Sequence, residues 1–409
     1  MHQGSAASRL GDHIPALDGL RGIAILFVML FHYVTACDFG SDAYVTRKIL
    51  GVAVNMWAGV DLFFVLSGFL ITGILLRAKD KPGYFTNFYM RRCLRIFPLY
   101  YGALIILFVI VPRFVPVDTA DVKRIYDSQG WLWAYSEDFA IAFHNEDYFD
   151  VSWLWVGHFW SLGVEEHFYL VWPLLVFACS GRKLLWATIA FAASAPLVRV
   201  AMLAHGMAPH AVYTLTFCRT DELAIGGLVA ILARERTYES LARLARGGIL
   251  IATVYFVSVV LIRQKPQWWG HWTTLGPGFS LLGVGFAGAV VLAISPERTW
   301  IRRVLESRPL IGFGKYSYGA YVIHTPMQPV YLKLFPPRRI AEMASGLGHS
   351  GSRVVGLLGF ASIGIAITML LAIGSFFAYE RPFLKLKRHF EYGSVRGATV
   401  AASPSPESS

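Results

Sequence analysis

Apolar residues in this chain gather in long runs, not at every second position or along one helical stripe. A bilayer core needs roughly 20 mostly apolar residues per helix. Ten segments meet that pattern: 22–37, 52–76, 97–116, 157–180, 184–204, 212–233, 248–262, 274–294, 311–334 and 353–379. The fourth is interrupted by Glu165, Glu166 and His167, and the seventh is short. The pattern therefore predicts an all-α, polytopic membrane bundle of about ten helices with both termini on one side. Residues 1–390 read as the membrane domain. The Pro/Ser-rich stretch 391–409 reads as a disordered tail.

Polar positions between the runs set the orientation. Loops on the even-numbered side carry Arg77, Lys79, Lys81, Arg91, Arg92, Arg95, Arg234, Arg236, Arg302 and Arg303 and are the richer in basic residues. Cytoplasmic loops hold such an excess, so both termini, the tail included, are expected in the cytoplasm. The long loop 117–156 falls outside; it is acidic and aromatic, and reads equally as a lid or a solvated connector. Val34-Thr35-Ala36-Cys37 has the form of a lipoprotein cleavage box, but Arg21 and His32 spoil the apolar centre a cleavable signal needs, so the first span is expected to stay.

Composition agrees with the pattern. The chain has 409 residues, 55% hydrophobic and only 15% charged; mean hydropathy is +0.50. Soluble domains are about 25% charged. The net charge of +11 suggests nucleic acid in isolation, but its placement in cytoplasmic loops removes that partner and leaves the lipid bilayer. Four cysteines with no C-x-x-C exclude a disulfide scaffold and a zinc-finger array.

Charges inside spans are costly and each is a functional hypothesis. His32 follows Arg21 by about 16 Å along a helix and on nearly the same face, so the two read as the lining of one passage. The alternative is that Arg21 snorkels and His32 caps a neighbouring helix. Asp61 opens a run containing Ser67 and Gly68 that reads as a packing seam with one buried acid. Arg92 and Arg95 lie one turn apart and suit phosphates, or else anchor the span at the cytoplasmic surface. Trp160-Ser-Leu-Gly-Val-Glu165-Glu166-His167-Phe-Tyr169 puts three ionisable groups in a row at the expected external mouth of a span. Arg219, Asp221 and Glu222 read mainly as an ion pair within a span. His324, one turn from Pro326, lines a cavity or satisfies a freed carbonyl. His158 and His167 lack metal spacing, so no metal is expected.

These pieces, in this order, resemble the acyltransferase type three family of membrane proteins. The carrying motifs are Arg21-x10-His32, Gly-Val-Asp-x-Phe-Phe at 59–64 running on to Ser67-Gly68-Phe69-Leu70, and Arg92-x-x-Arg95 before Pro98. Trp160–Pro173, Arg219-x-Asp221 and Ser317–Pro326 complete the set. The resemblance covers about 14–385. It implies O-acylation of a hydroxyl from acetyl-CoA or another acyl-CoA supplied from the cytoplasm, at a bacterial inner membrane. The implied acceptor is a cell-surface carbohydrate or lipid-linked glycan such as lipopolysaccharide O-antigen or exopolysaccharide; a macrolide-type metabolite is the alternative. A proton-coupled transporter, the competing class, is expected to show internal repeats that this chain lacks.

On that resemblance His32 is the general base, oriented by Glu166 or Glu165. Arg21 or Arg219 stabilises the thioester oxygen, and Arg92, Arg95 and Arg219 hold the cofactor. Asp61, Ser67, Trp160, His167, Tyr169, Asp221 and His324 support substrate or structure. His167 stands where relatives often have Gln, which implies a changed acceptor preference; Gly163 replaces a small polar residue. The chain resembles family members without an added extracytoplasmic domain.

Overall fold

A computed structural model describes residues 13–37, 44–115, 119–144, 147–151, 153–263, 270–297 and 299–392. Residues 393–409, most of the expected tail, lie outside the described residues.

Helix α1 (Pro15–Thr35) starts with Pro in its first turn and Asp18 near its N-terminus, both favourable there. α2 (Tyr44–Ala53), α3 (Gly59–Ala78) and α4 (Tyr84–Ile105) follow. The long segment between α4 and α8 is not an open connector. It folds into α5 (Ala120–Ser128), α6 (Gly130–Trp133) and α7 (Glu137–Phe143), then a hairpin of β1 (Asp150–Val151) and β2 (Leu154–Trp155). α8 (Trp160–Ala178), α9 (Gly181–Ala204), α10 (Pro209–Thr214), α11 (Thr220–Glu235) and α12 (Tyr238–Arg263) come next. The rest are α13 (Phe279–Ala293), α14 (Trp300–Leu305), α15 (Arg308–Lys315), α16 (Ser317–Leu334), α17 (Pro337–Met343), α18 (Gly348–Ser375) and α19 (Arg381–Lys385).

Among the described residues seven helical stretches are long and apolar enough to cross a membrane: Pro15–Thr35, Ile49–Ala78, Tyr84–Arg113, Gly181–Ala204, Tyr238–Ile262, Thr274–Ala293 and Ser345–Phe390. Helices α8, α11 and α16 stand where the fourth, sixth and ninth spans were expected, but fall short in length or apolarity. These three carry the polar motifs, which they turn inward. α8 shows why it still belongs in lipid: Leu170, Leu174 and Phe177 are 60%, 57% and 50% exposed on its outer side. Outward apolar faces of this kind mark an interface with lipid or protein, and with seven helices able to span, the molecule is an all-α polytopic membrane bundle.

The core sits where α1, α3, α8, α11 and α16 converge. α3 packs most extensively on α11. A Cβ at Gly68 would come within 1.8 Å of the Leu223 carbonyl oxygen, and one at Gly226 within 2.0 Å of that of Val65. Small residues therefore let the two backbones touch. Trp172 of α8 donates its indole N–H to Thr72 of α3 at 2.8 Å, which locks α8 onto the same core.

Candidate active site

Two cavities lie back to back inside this core. The first is lined by Arg21 of α1, Ser67 of α3, Arg92 and Arg95 of α4, and Glu165, Glu166 and Tyr169 of α8. Glu165 accepts hydrogen bonds from Ser67 (2.6 Å) and Tyr169 (2.9 Å). The Arg92 guanidinium lies 5.4 Å from the centre of the Tyr169 ring. Arg21 pairs with Asp18 at 3.2 Å. Among the described residues Arg92 and Arg95 form no ion pair, and Glu166 has no hydrogen-bond partner. The i, i+3 spacing of Arg92 and Arg95 on α4 turns both toward one hollow, where paired forks can grip an anion.

The second cavity, about 240 Å³, is lined by His32, Trp57, Asp147, Asp150, His158, Trp160, His210 and Tyr213. Its histidines form a connected set whose tautomers follow from their partners. His324 Nδ1 donates to the Tyr321 carbonyl at 2.7 Å, which leaves its Nε2 as an acceptor. His32 Nδ1 donates to the Val28 carbonyl at 2.8 Å and lies 3.3 Å from that Nε2. The remaining nitrogen of His32, Nε2, keeps its lone pair and has no hydrogen-bond partner among the described residues. His158 donates from Nε2 to the same Tyr321 carbonyl (3.0 Å) and accepts at Nδ1 from the Thr325 hydroxyl (2.5 Å).

The segment between α4 and α8 supplies the acids of this cavity, Asp147 and Asp150, while Glu137 and Asp138 of the same segment lie outside its lining. Asp150 accepts from the Gly157 backbone N–H at 2.7 Å. Burial pushes its carboxyl up to about 6, against the pull of that N–H. Glu137, fully buried in α7 with neither oxygen bonded, is lifted well above the usual carboxylate range by desolvation. Asp138 is also raised by burial, which its neighbour His167 and the Thr216 hydroxyl oppose.

Several expectations change. Arg21 and His32 do not line one passage: each faces its own cavity, and the two cavities share only Val60 and Tyr321 among their lining residues. Glu165 and Glu166 line the arginine cavity. Neither touches His32, so neither orients it; His324 and the Val28 carbonyl do. Arg219 is not open to a cofactor or a thioester. It is fully buried, 2.5 Å from Asp61 and 3.3 Å from Glu222, with its guanidinium 3.8 Å from the Phe279 ring centre. The buried acid Asp61 thus pairs with Arg219, the residue just before α11. Asp221 binds both of its oxygens to buried Arg199, at 3.0 and 2.8 Å. His324 reaches the Tyr321 carbonyl and not one freed by Pro326, and the same ring supports His32. His167 leaves both cavities and bonds Thr216 at 2.7 Å, with Asp138 at 3.9 Å. Trp160 lines the histidine cavity. The residues missed are His158, Tyr321 and Asp150. Two signals were available: His158 stands two residues before the Trp160 motif, and Tyr321 lies inside the Ser317–Pro326 motif.

Among the described residues no group of three or more metal-binding side chains is present. No solved structure matches the chain significantly. Among curated proteins the chain is similar to "Peptidoglycan O-acetyltransferase OatA" of Listeria monocytogenes serovar 1/2a, 28% identical over 327 residues, which are 77% of this chain and 49% of the relative. It is also similar to "Putative peptidoglycan O-acetyltransferase YrhL" of Bacillus subtilis strain 168, 28% identical over 331 residues, 77% of this chain and 48% of the relative. The chain thus spans about half the length of the curated relatives it matches. The family model described as "Acyltransferase domain" matches residues 14–377, and with motif, fold and match in agreement the chain belongs to the acyltransferase type three family.

Proposed function

We propose that this protein is a membrane O-acyltransferase that moves an acetyl group from acetyl-CoA to a hydroxyl of a cell-surface carbohydrate. The observation that carries the reading is the division of labour between the cavities: unpaired arginines in one, an unprotonated histidine nitrogen in the other. Arg92 and Arg95 hold the phosphates of the donor on the cytoplasmic side, and Arg21 faces the thioester oxygen, where a fixed cation stabilises developing charge. Nε2 of His32 takes the hydroxyl proton of the acceptor as the new ester bond forms. The carbon–sulfur bond breaks, and the leaving thiolate takes its proton from Glu166, which lines the same cavity without a partner. The protein sits in a bacterial inner membrane with both termini cytoplasmic. The names of the relatives point to a cell-wall or envelope glycan as acceptor, with O-antigen and exopolysaccharide in the same class.

The test is transfer of labelled acetyl from acetyl-CoA by the purified protein in lipid nanodiscs, with glycan fragments as acceptors. His32→Ala should lose about 10²–10⁴ in rate with unchanged insertion and thermal unfolding. Most of the activity surviving in that variant would remove His32 as the base. Absence of any transfer from acetyl-CoA by the native protein, alongside proton-coupled uptake of a solute, would replace the enzyme with a carrier.

A further inference from the structure

A group handed from one cavity to the other must pass the wall between them. Val60 and Tyr321 are the residues that line both. Val60 is short. Tyr321 fills the wall, 6% exposed, with Phe63 edge-on at 6.2 Å and the rings of His158 and His324 at 5.3 and 5.4 Å. Its hydroxyl is held by the Ser161 hydroxyl and donates to the His158 carbonyl at 3.0 Å. Its backbone carbonyl accepts from both His158 and His324. One residue thus closes the wall with its side chain and positions the histidines with its main chain. The two jobs are separable, because the ring can turn about its own side-chain bonds while the carbonyl stays in place.

We infer that Tyr321 is a shutter between donor and acceptor cavities, latched by Ser161 and the His158 carbonyl. The inference rests on the acyltransferase reading for its purpose but not for its geometry. Closed, the ring keeps water of the acceptor side from the thioester; water would otherwise attack it, giving free acid and the CoA thiol. Turned aside, it lets the acyl group meet the acceptor hydroxyl. Tyr321 is a positioning residue here and does not itself exchange a proton with the substrate.

Sidedness of access tests this without any chemistry. In a chain whose four native cysteines are alanine, Ser67→Cys puts a thiol in the arginine cavity. A small membrane-impermeant thiol reagent, added to either face of oriented proteoliposomes, should label it from one face only. Tyr321→Ala should open labelling from the second face. Tyr321→Phe keeps the packing but removes the latch, and should raise second-face labelling about fivefold, the weight of roughly one hydrogen bond. A wild-type ring background labelled from both faces, or both Tyr321 variants labelled from one, overturns the shutter. A second readout is thiol release from acetyl-CoA without acceptor. With the shutter loosened this uncoupled hydrolysis should rise while transfer falls, whereas a merely structural role lowers both. If labelling follows the expectation but the native protein neither transfers nor hydrolyses, the shutter stands and the acyltransferase reading fails.

Discussion

At the scale of single residues, the buried arginines separate by what surrounds them. Arg219 sits between two carboxylates and an aromatic ring with no exposure, whereas Arg92 and Arg95 line a hollow with no carboxylate paired to either. Breaking a buried pair from one side leaves an uncompensated charge and costs about 3–5 kcal/mol. Arg219→Ala strands Asp61 and Glu222 together, and should lower the thermal midpoint in detergent further than Asp61→Ala, which leaves Glu222 to pair. The reverse order would show that Arg219 is held by its aromatic neighbours and not by charge. Arg92→Ala and Arg95→Ala should leave unfolding unchanged but raise the KM for acetyl-CoA roughly tenfold each, the worth of a charge-assisted hydrogen bond. A fall in kcat at constant KM would move both from binding to chemistry. The sequence already reads Arg219 mainly as part of an ion pair, but leaves Arg92 and Arg95 evenly between phosphate binding and anchoring. Only their surroundings distinguish a structural pair from a binding pair.

At the scale of elements, α3 packs both on α11, its most extensive partner, and on α8, whose Glu165 accepts from Ser67 at 2.6 Å. Gly68 is the next residue along α3, and its Cα approaches the α11 backbone too closely for any side chain. Gly68→Ala should force the helices apart, destabilise the protein by about 1–3 kcal/mol as overpacking does, and impair transfer by moving Ser67 off Glu165. Gly374→Ala, inside α18 with nothing near the added carbon, is the control: it should leave transfer unchanged and stabilise by up to about 1 kcal/mol, since Ala is the better helix former. Equal destabilisation by the two would remove close packing at Gly68 as the cause, because Ala is intrinsically the better helix former. Ser67-Gly68 was legible in the sequence as a close-packing seam. Its partner was not, because small residues show that helices can approach but not which ones do.

At the scale of the molecule, the segment between α4 and α8 is part of the site: it brings Asp147 and Asp150 to the lining of the histidine cavity. Asp150 supplies a pH test. Its folded-state value of about 6 lies above the ordinary carboxylate value, so the folded protein binds the proton more tightly than the unfolded chain. Its favourable contribution is therefore complete below about pH 4 and is lost as the pH rises to 6. Asp150→Asn, which can still accept from Gly157, should be more stable than the native protein at pH 7–8, with the gap shrinking toward pH 4. A gap that widens on acidification would mean that the carboxylate form is the favoured one. The contrast between chain and fold is clear at this scale. Membrane class, the helical segments, the motif order and the candidate identities of Arg21, His32, Arg92, Arg95 and Glu166 were already present in the sequence. They depend on local apolar runs and on the cost of putting charge into lipid, which act residue by residue. Which of those residues share a cavity was decided by tertiary structure alone. Arg21 and His32 share a helix face yet open into different hollows. Glu166 turns to the arginines and His324 to His32, because the crossing of α1, α3, α8 and α16 sets those neighbours, and spacing along one helix carries no information about the helix opposite.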